Sequence, residues 1–353
     1  MATVTITSMS DPARPVAPTT DDEEQLTTTN ANAVDTLLAN FLYPQELKHN
    51  VFVPRFQQRI TIVKAWDILS LSTAPNATNG SPYNHTPPHI LDIGCGQGES
   101  AATLAALLQT HMNGANLHIT GIDTARPDYG TPYTVTETQA HLVASPLGKH
   151  ISFRRQDTAS FFSSPGNNTT DVVTLCHSLW YFPTPKSVTE LFATLATARV
   201  TRVYVAEYSF QGSLPGGVQD AHILAARAQA LLHAYLNEQT EVEPGPRAYN
   251  VRAAPDVDTI VAAAGVAGFA VRRQGTFVPA AEMIEGHLEA RLVVKEPFSD
   301  AVRAAGLAPE KEQEVLDYVP RVKAAFERLA EAGVEKGRAM DVWWAELELN
   351  ETR

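Results

Sequence analysis

The chain has 353 residues, of which 44% are hydrophobic and 19% are charged, and its formal net charge is −12. This composition is typical of a globular protein with one or two domains, and the negative charge argues against a general nucleic-acid or anionic-membrane partner. The two cysteines, Cys95 and Cys176, lie in apolar stretches, so we expect buried, reduced thiols in a cytoplasmic protein. We also expect the protein to be a monomer or a homodimer.

The first 87 residues are predicted to lie outside the main domain. Residues 1–26 are rich in Thr, Pro and Asp and have neither the basic start nor the apolar core of a secretion signal, so we predict a disordered tail. Two stretches with helical periodicity follow and lead into a Pro- and Asn-rich linker. We therefore predict that residues 27–87 form a helical lid and its linker.

From residue 88 onwards, strand and helix patterns alternate. The strand patterns are HILDI, LHITGID, ISFRRQD, DVVTLC and TRVYVAEYS. This alternation predicts an α/β fold with a doubly wound, mostly parallel sheet. We expect residues 88–353 to form one domain, with helical insertions at about 212–250 and 279–336, and with the terminal VWWAELEL as an edge strand.

The glycine-rich turn after the first strand predicts a ligand site. Gly94, Gly96 and Gly98 permit a tight turn and a close approach to a ligand, and the following helix offers free N–H groups. The spacing G-x-G-x-G differs from the dinucleotide fingerprint G-x-G-x-x-G. Asp92, two residues before the first glycine, would repel a pyrophosphate but attract a cation. S-adenosylmethionine, which carries a sulfonium and an ammonium but no phosphate, is such a ligand.

Two further acids end the next two strand patterns. Asp123 ends the second strand and Asp157 ends the third. In a doubly wound fold these strand ends face the ligand, so Asp123 is predicted to accept hydrogen bonds from ribose hydroxyls and Asp157 from an adenine amino group. Each acid has an alternative role as a helix cap or a solvated loop carboxylate.

These motifs make the chain resemble the class I S-adenosylmethionine-dependent methyltransferases, and most of all the small-molecule methyltransferases of fungal secondary metabolism. The resemblance covers roughly residues 88–209 through LDIGCGQG, GID, QDT and DVVTLCHSLWYF. It implies a seven-stranded sheet, S-adenosylmethionine as the methyl donor and S-adenosylhomocysteine as the product. The residues that it places at the cofactor are Asp92, Gly94, Cys95, Gly96, Gln97, Gly98, Asp123, Asp157, Thr158, Cys176 and His177.

The exit of the fourth strand is predicted to face the methyl acceptor. His177 is a candidate general base, with a structural histidine as the alternative. Trp180 and Tyr181 are candidates for the wall of the substrate pocket, although core packing is the better interpretation for one of them. Glu207, at the end of the fifth strand, is a further pocket candidate.

The predicted lid supplies three more candidates. Phe52 and Phe56 are spaced to share one helical face and are predicted to line the substrate pocket. Arg59 is predicted to bind the methionyl carboxylate, with a solvated arginine as the alternative. In the loop after the second strand, Tyr133 is predicted to cover the ribose or the adenine.

The predicted reaction is an in-line displacement at the sulfonium methyl group, in which alignment and exclusion of water matter most. A base is needed only when the acceptor carries a proton, and the sequence leaves oxygen, nitrogen and carboxylate acceptors open. No His, Asp and Glu residues have metal-ligand spacing, so we expect no metal. Two alternatives are an NAD(P)-dependent oxidoreductase and a non-catalytic regulatory protein of the same fold.

Overall fold

The fold was analysed in a computed structural model that describes residues 31–69, 89–111, 117–164, 170, 172–239 and 249–350. The predicted disordered tail and most of the predicted linker lie outside these residues. Within them, none of the helices combines the length and the apolar character that crossing a membrane requires.

One sheet organises the described residues. Its seven strands are β1 (His89–Ile93), β2 (His118–Asp123), β3 (Ile151–Arg155), β4 (Val172–Cys176), β5 (Arg202–Tyr208), β6 (Phe269–Phe277) and β7 (Val342–Leu349). Their order is β3-β2-β1-β4-β5-β7-β6. Strands β1 to β5 are parallel, and β7 is antiparallel to both β5 and β6. The predicted doubly wound, mostly parallel α/β fold is confirmed.

The predicted position of the last strand is wrong. Strand β7 lies inside the sheet between β5 and β6, and β6 is the edge strand. The physical reason lies in the side chains: Trp343, Ala345 and Leu347 of β7 are buried, whereas Arg272 and Arg273 of β6 are exposed. Charged side chains are common on an edge strand because they discourage further pairing.

Twelve α-helices surround the sheet in the described residues. They are α1 (31–40), α2 (Val53–Trp66), α3 (Glu99–His111), α4 (Val135–Ala144), α5 (Thr158–Ser163), α6 (Pro185–Thr197), α7 (Asp220–Glu238), α8 (Val257–Val266), α9 (Glu285–Val294), α10 (Glu296–Arg303), α11 (Pro309–Leu316) and α12 (Tyr318–Glu331). The side chains of successive strand residues point to opposite faces of the sheet. Ile90 accordingly belongs to one apolar cluster and Leu91 to another.

A third apolar cluster joins α7 to the helices near the C-terminus. Its fully buried members include Phe298, Val302, Val315 and Val322. Helix α7 lies in the first predicted insertion and packs against α9 and α12 of the second. The boundaries proposed for the insertions and the lid stay predictions.

Helix α2 is part of the core and not a detached segment. It begins with Pro54 in its first turn, where a missing N–H costs nothing. Ile60, Val63 and Trp66 are buried along one face, and Trp66 Nε1 donates a hydrogen bond to the carbonyl oxygen of Val205 in β5 at 3.0 Å. This anchoring places the polar residues in the middle of α2 beside the glycine turn.

Candidate active site

The glycine turn is closely packed and requires its glycines. Gly94, Gly96 and Gly98 have φ of 71°, 50° and 94°, values that other residues rarely adopt. A Cβ atom on Gly94 would lie 2.6 Å from Cβ of Ser178, and one on Gly98 would lie 2.7 Å from the ring of Phe153. The turn is therefore fixed both by its backbone conformation and by its neighbours.

Asp123 is held beside this turn by backbone donors. Its carboxylate accepts hydrogen bonds from the N–H groups of Gly96 and Ala125, each at 2.7 Å. Each carboxylate oxygen has a further lone pair for another donor. The predicted contact with the ribose stays a prediction, and this geometry is compatible with it.

Two glutamines fasten the turn to its surroundings. Gln97 Nε2 donates to the carbonyl oxygen of Tyr133 at 2.7 Å, and Gln139 Nε2 donates to that of Gly96 at 2.7 Å. The half-buried Tyr133 is thus placed beside the glycine turn through its backbone.

Cys95 is buried in the turn, and burial raises the pKa of its thiol well above the usual range, so this thiol is neutral.

Asp92 is buried with half of its carboxylate unpaired. Only 1% of its surface is exposed. Its Oδ1 accepts hydrogen bonds from the hydroxyls of Ser100 at 3.2 Å and Thr174 at 2.9 Å, while Oδ2 has no hydrogen-bond partner among the described residues. Burial raises the pKa of Asp92 to about 6, against the opposing effect of those two hydroxyls. A cationic donor beside Oδ2 would complete this site.

Four buried polar atoms of residues at or just after the ends of β1 and β4 are unpaired within the described residues. Besides Asp92 Oδ2, the buried atoms His177 Nε2, Ser178 Oγ and Trp180 Nε1 have no hydrogen-bond partner in the described part of the chain. Folded proteins leave few buried polar atoms unpaired, so such a group at the ends of β1 and β4 calls for a polar ligand. A molecule with an ammonium, a carboxylate and hydroxyls fits this set of donors and acceptors.

His177 is oriented by a buried carboxylate. It directly follows β4 with a φ of 51°, and its N–H donates to the carbonyl oxygen of Ala206 at 2.8 Å. Ring atom Nδ1 lies 3.3 Å from Oε1 of Glu207. Burial, followed by the charge of Arg59, lowers the pKa of His177, although Glu207 opposes this. A neutral ring that donates from Nδ1 to Glu207 keeps a free lone pair on Nε2.

The carboxylate of Glu207 is occupied by contacts within the protein. Only 2% of its surface is exposed. Besides facing His177, it accepts hydrogen bonds from the N–H groups of Tyr208 at 3.1 Å and Trp180 at 3.3 Å. The structure therefore shows Glu207, predicted as a pocket residue, as a support for His177.

Cys176 lies one residue before His177. Burial raises the pKa of the Cys176 thiol to about 12, which leaves this thiol neutral.

An ionic cluster that sequence analysis missed joins three helices. Arg55 donates through Nη1 to Glu99 at 2.8 Å and through Nε to Glu285 at 2.6 Å. Glu285 also accepts a hydrogen bond from the hydroxyl of Tyr208 at 3.1 Å. Burial would raise the pKa of Glu285, but Arg55 and Arg59 outweigh it and lower the pKa to about 2. Arg55 and Glu285 are 230 positions apart, so no local pattern reveals the pair.

Arg59 is buried, which contradicts the alternative of a solvated arginine. Its exposed fraction is 9%. Its guanidinium donates to Gln58 Oε1 at 3.0 Å and to Glu99 Oε2 at 3.5 Å. Burial is the largest influence and acts to lower the pKa of Arg59, but the negative charges around it, including those of Glu99 and Glu285, together outweigh burial and the pKa is raised. A permanent positive charge therefore faces the start of α3 and the end of β4.

The predicted aromatic residues divide between core and surface. Phe52 and Phe56 are 5% and 0% exposed and pack with Phe41, whose ring centroid lies 5.3 Å from that of Phe56. Phe56 is thus a core residue in this structure. Trp180 is 2% exposed and stacks on the ring of Phe210, whereas the neighbouring Tyr181 is 45% exposed.

Asp157 caps a helix in this structure. It accepts hydrogen bonds from the N–H of Ser160 at 2.7 Å and from the hydroxyl of Ser160 at 3.1 Å, and it precedes Thr158, the first residue of α5. This is the helix-cap role that the sequence left open. The predicted contacts of Asp157 and Thr158 with the adenine stay predictions.

Comparison with known proteins identifies the family. No family model matches the chain. Methyltransferase phomM' of Diaporthe leptostromiformis is 68% identical to it, over 99% of this chain and 100% of that protein. Methyltransferase phomM of the same organism is 67% identical over the same shares. The chain belongs to this family of methyltransferases.

A solved structure supports the fold of the methyltransferase. The cyclopropane-fatty-acyl-phospholipid synthase-like protein from Lactobacillus casei covers 90% of this chain and 99% of its own, with a TM-score of 0.66 and 23% identity. The family membership rules out the alternative of an NAD(P)-dependent oxidoreductase.

In the residues that the structure describes, no three His, Cys, Asp or Glu side chains are arranged to hold a metal ion.

Proposed function

We propose that this methyltransferase takes its methyl group from S-adenosylmethionine and transfers it to an oxygen or nitrogen atom, or a carboxylate, of a small secondary metabolite. The observation that carries the proposal is the set of unpaired buried polar atoms at the ends of β1 and β4, beside a glycine turn in which Gly94 and Gly98 have no room for a side chain. The protein would act in the cytoplasm as a monomer or homodimer, without a nucleic-acid or membrane partner.

The chain offers one partner for each polar part of this cofactor. Asp92 Oδ2 would accept a hydrogen bond from the ammonium, and Arg59 would bind the carboxylate. Asp123, already oriented by Gly96, would accept from the ribose hydroxyls. Tyr133 and Asp157 would lie towards the adenine. The cofactor supplies an electrophilic methyl group on a sulfonium that leaves as a neutral thioether.

His177 would serve acceptors that carry a proton. Its neutral ring is held by Glu207 and keeps Nε2 free, so it can take the proton of a hydroxyl as the new bond forms, or the proton of an ammonium before the amine attacks the methyl group. Burial of the pair excludes water, which protects the sulfonium from hydrolysis and strengthens the hydrogen bonds. A carboxylate acceptor would react without this step.

The proposal is tested by titrating the purified protein with S-adenosylhomocysteine in a calorimeter and by measuring methyl transfer from labelled S-adenosylmethionine to a panel of hydroxyl, amine and carboxylate compounds. We expect binding that is at least tenfold weaker in Asp92→Asn and Asp123→Asn, and transfer to at least one acceptor class. Absence of binding by the wild-type protein would overturn the proposal. Binding without any transfer would favour a regulatory protein.

A further inference from the structure

Four buried rings are in contact where strands β4 and β5 end. The ring centroid of Tyr208, the last residue of β5, lies 4.5 Å from that of His177, 4.9 Å from that of His222 and 5.4 Å from that of Trp180. The rings of Trp180 and His222 are themselves 6.3 Å apart. His222, which belongs to α7 and which sequence analysis missed, is therefore only one ring away from the proposed general base.

The ring of His222 is neutral and its proton has a fixed place. The backbone N–H of Met340 donates to Nδ1 at 3.0 Å, so Nδ1 carries no proton and the neutral ring carries its proton on Nε2. Burial is the largest influence on the pKa of His222 and lowers it to about 4, so the ring is uncharged at neutral pH. In the described part of the chain, the bond from Met340 is the only hydrogen bond of this ring. Nε2 is thus an N–H donor without an acceptor.

Close packing holds the ring of His222 in this orientation. A Cβ atom on Gly286 would lie 2.7 Å from Nδ1 of His222 and 2.7 Å from Cα of Ala339. The glycine therefore lets α9 pack directly against the ring and against the segment before β7. On another side, the ring of Tyr208 meets that of His222 at an angle of 82°. The N–H of Nε2 is held in place before a ligand binds, which lowers the entropic cost of binding.

Trp180 supplies a second donor without an acceptor. Its exposed fraction is 2%, and its Nε1, which can only donate, has no hydrogen-bond partner among the described residues. The ring is held by stacking on Phe210, with the centroids 4.8 Å apart. The buried Trp66 and Trp343, by contrast, both donate from Nε1 to oxygen atoms of the protein, each at 3.0 Å. We call Nε1 of Trp180 and Nε2 of His222 the donor pair.

The surroundings of the donor pair favour an uncharged oxygen atom as its partner. The carboxylate of Glu207 accepts the backbone N–H of Trp180 at 3.3 Å, and its other partners in the described residues are the N–H of Tyr208 and the neutral ring of His177. A second buried carboxylate would be repelled by Glu207, because charges interact strongly where water is excluded. A carbonyl oxygen has two lone pairs and no proton, so it can accept from both donors.

We propose that the donor pair binds a neutral carbonyl oxygen of the methyl acceptor, such as that of an amide, an ester or a ketone. This inference rests on the proposed function, because it assumes that His177 borders the reaction centre. An analogue without the carbonyl leaves two buried N–H groups unpaired, and sites built to form hydrogen bonds reject such analogues strongly. Trp180 and His222 therefore select and orient the acceptor.

The test follows the indole N–H signals of isotope-labelled protein by NMR, with the protein saturated with S-adenosylhomocysteine. Acetophenone is the carbonyl probe, α-methylstyrene has the same shape without the oxygen, and benzoate is the anionic probe. The spectrum of Trp180→Phe identifies the signal of Trp180. We expect acetophenone to shift this signal saturably, and α-methylstyrene and benzoate to leave it in place.

Two substitutions of His222 separate its two ring nitrogens. His222→Asn retains an acceptor near Nδ1 for the N–H of Met340 but removes the donor at Nε2, and we expect it to bind acetophenone about tenfold more weakly. His222→Gln retains a donor near Nε2 and should restore part of this affinity. Trp343→Phe is the matched control, because it removes an indole hydrogen bond in β7, and it should bind the probe like the wild type.

Calorimetric binding of S-adenosylhomocysteine to the same samples separates the two proposals. Equal cofactor affinity, with a response to acetophenone that is weakened in His222→Asn, supports the inference. Intact cofactor binding overturns the inference alone if acetophenone gives no shift, if α-methylstyrene or benzoate shifts the signal equally, or if His222→Asn binds acetophenone like the wild type. A wild type that does not bind S-adenosylhomocysteine overturns the proposed function and this inference with it. If His222→Asn does not fold, the comparison of the three probes on the wild type decides.

Discussion

Asp92 opposes the stability of the free protein. Its pKa is about 6 when folded, against about 3.8 for a solvated Asp. A raised folded pKa means that the stability from the neutral carboxyl is present below pH 3.8 and is lost as the pH rises through about 6. Above that pH, burying the charge costs about 3 kcal/mol. A bound cation would remove most of this cost, so folding cost and ligand affinity are coupled in one residue.

Asp92→Asn is therefore expected to have opposite effects on stability and binding. At pH 7.5 the Tm of the free protein should rise by a few degrees, because no charge is buried. Stabilisation by S-adenosylhomocysteine should be smaller than in the wild type, because the ammonium loses its counter-charge. Thermal unfolding with and without the ligand measures both effects. A lower Tm together with undiminished stabilisation by the ligand would contradict the proposed role.

His177 and Glu207 form one unit with two distinguishable roles. For a hydroxyl or ammonium acceptor, His177→Ala should lower kcat by about 10²- to 10⁴-fold. The wild-type acid limb of kcat/KM should lie below pH 6.5, because the pKa of His177 is lowered. Glu207 raises that pKa, so Glu207→Gln should move the limb to lower pH. An unchanged rate in His177→Ala would exclude it as the base, and an unmoved limb in Glu207→Gln would exclude the positioning role.

At the scale of elements, Arg55 connects α2 to α3 and α9. These helices come from distant parts of the chain, and their side chains meet where α3 begins. The side chains of Arg55, Glu99 and Glu285 are half-buried, and removing one partner of such an ion pair is costly because the other charge is left unpaired. Arg55 therefore helps to fix the N-terminal end of α9, while Ala290 and Val293 pack in the third apolar cluster.

Arg55→Gln is expected to lower the free energy of unfolding by about 2 kcal/mol, since Glu285 loses its ion-pair partner and Glu99 keeps only the longer contact with Arg59. Arg126→Gln is the matched control, because Arg126 pairs with Asp128 in a well-exposed loop, where an ion pair contributes roughly 0 to 1 kcal/mol. Chemical denaturation measures both values, and hydrogen exchange should show increased opening of α9 only in Arg55→Gln. Equal effects of the two substitutions would contradict the special role of Arg55.

At the scale of the whole molecule, we expect histidines with lowered pKa values to govern the response to acid. Burial lowers the pKa of His89 and of His222 to about 4, and it also lowers that of His118 and His177. A lowered folded pKa gives stability that is present above the unfolded value of about 6.5 and is lost as the pH falls towards 4. This effect has the opposite sign to that of Asp92.

The Tm of the free protein should accordingly fall between pH 6.5 and pH 4.5 at constant ionic strength, because the histidine rings bind protons only in the unfolded chain. His222→Gln and His89→Gln should each make this fall less steep, even where they lower the Tm at pH 7. A series of thermal unfolding curves measures the slope. A Tm that is constant or rises over this range would show that the histidines do not govern the response.

The sequence predicts the features that depend on neighbouring residues. The alternation of strands and helices and the turn around Gly94 are local patterns, and the structure contains both. Whether Trp180 or Tyr181 is buried depends instead on contacts with Tyr208 and Phe210, which local spacing does not reveal. The same holds for Arg55 with Glu285 and for the place of β7, because contacts between distant segments decide them.

The interior position of β7 has a consequence for synthesis of the protein on the ribosome. Strand β5 pairs with β7, and β6 is joined to the sheet only through β7. Until residues 342–349 leave the ribosome, β5 keeps one edge of unpaired backbone groups and β6 has no place in the sheet. A nascent chain that already carries the complete glycine turn thus still exposes an open strand edge, a feature that promotes aggregation and attracts chaperones.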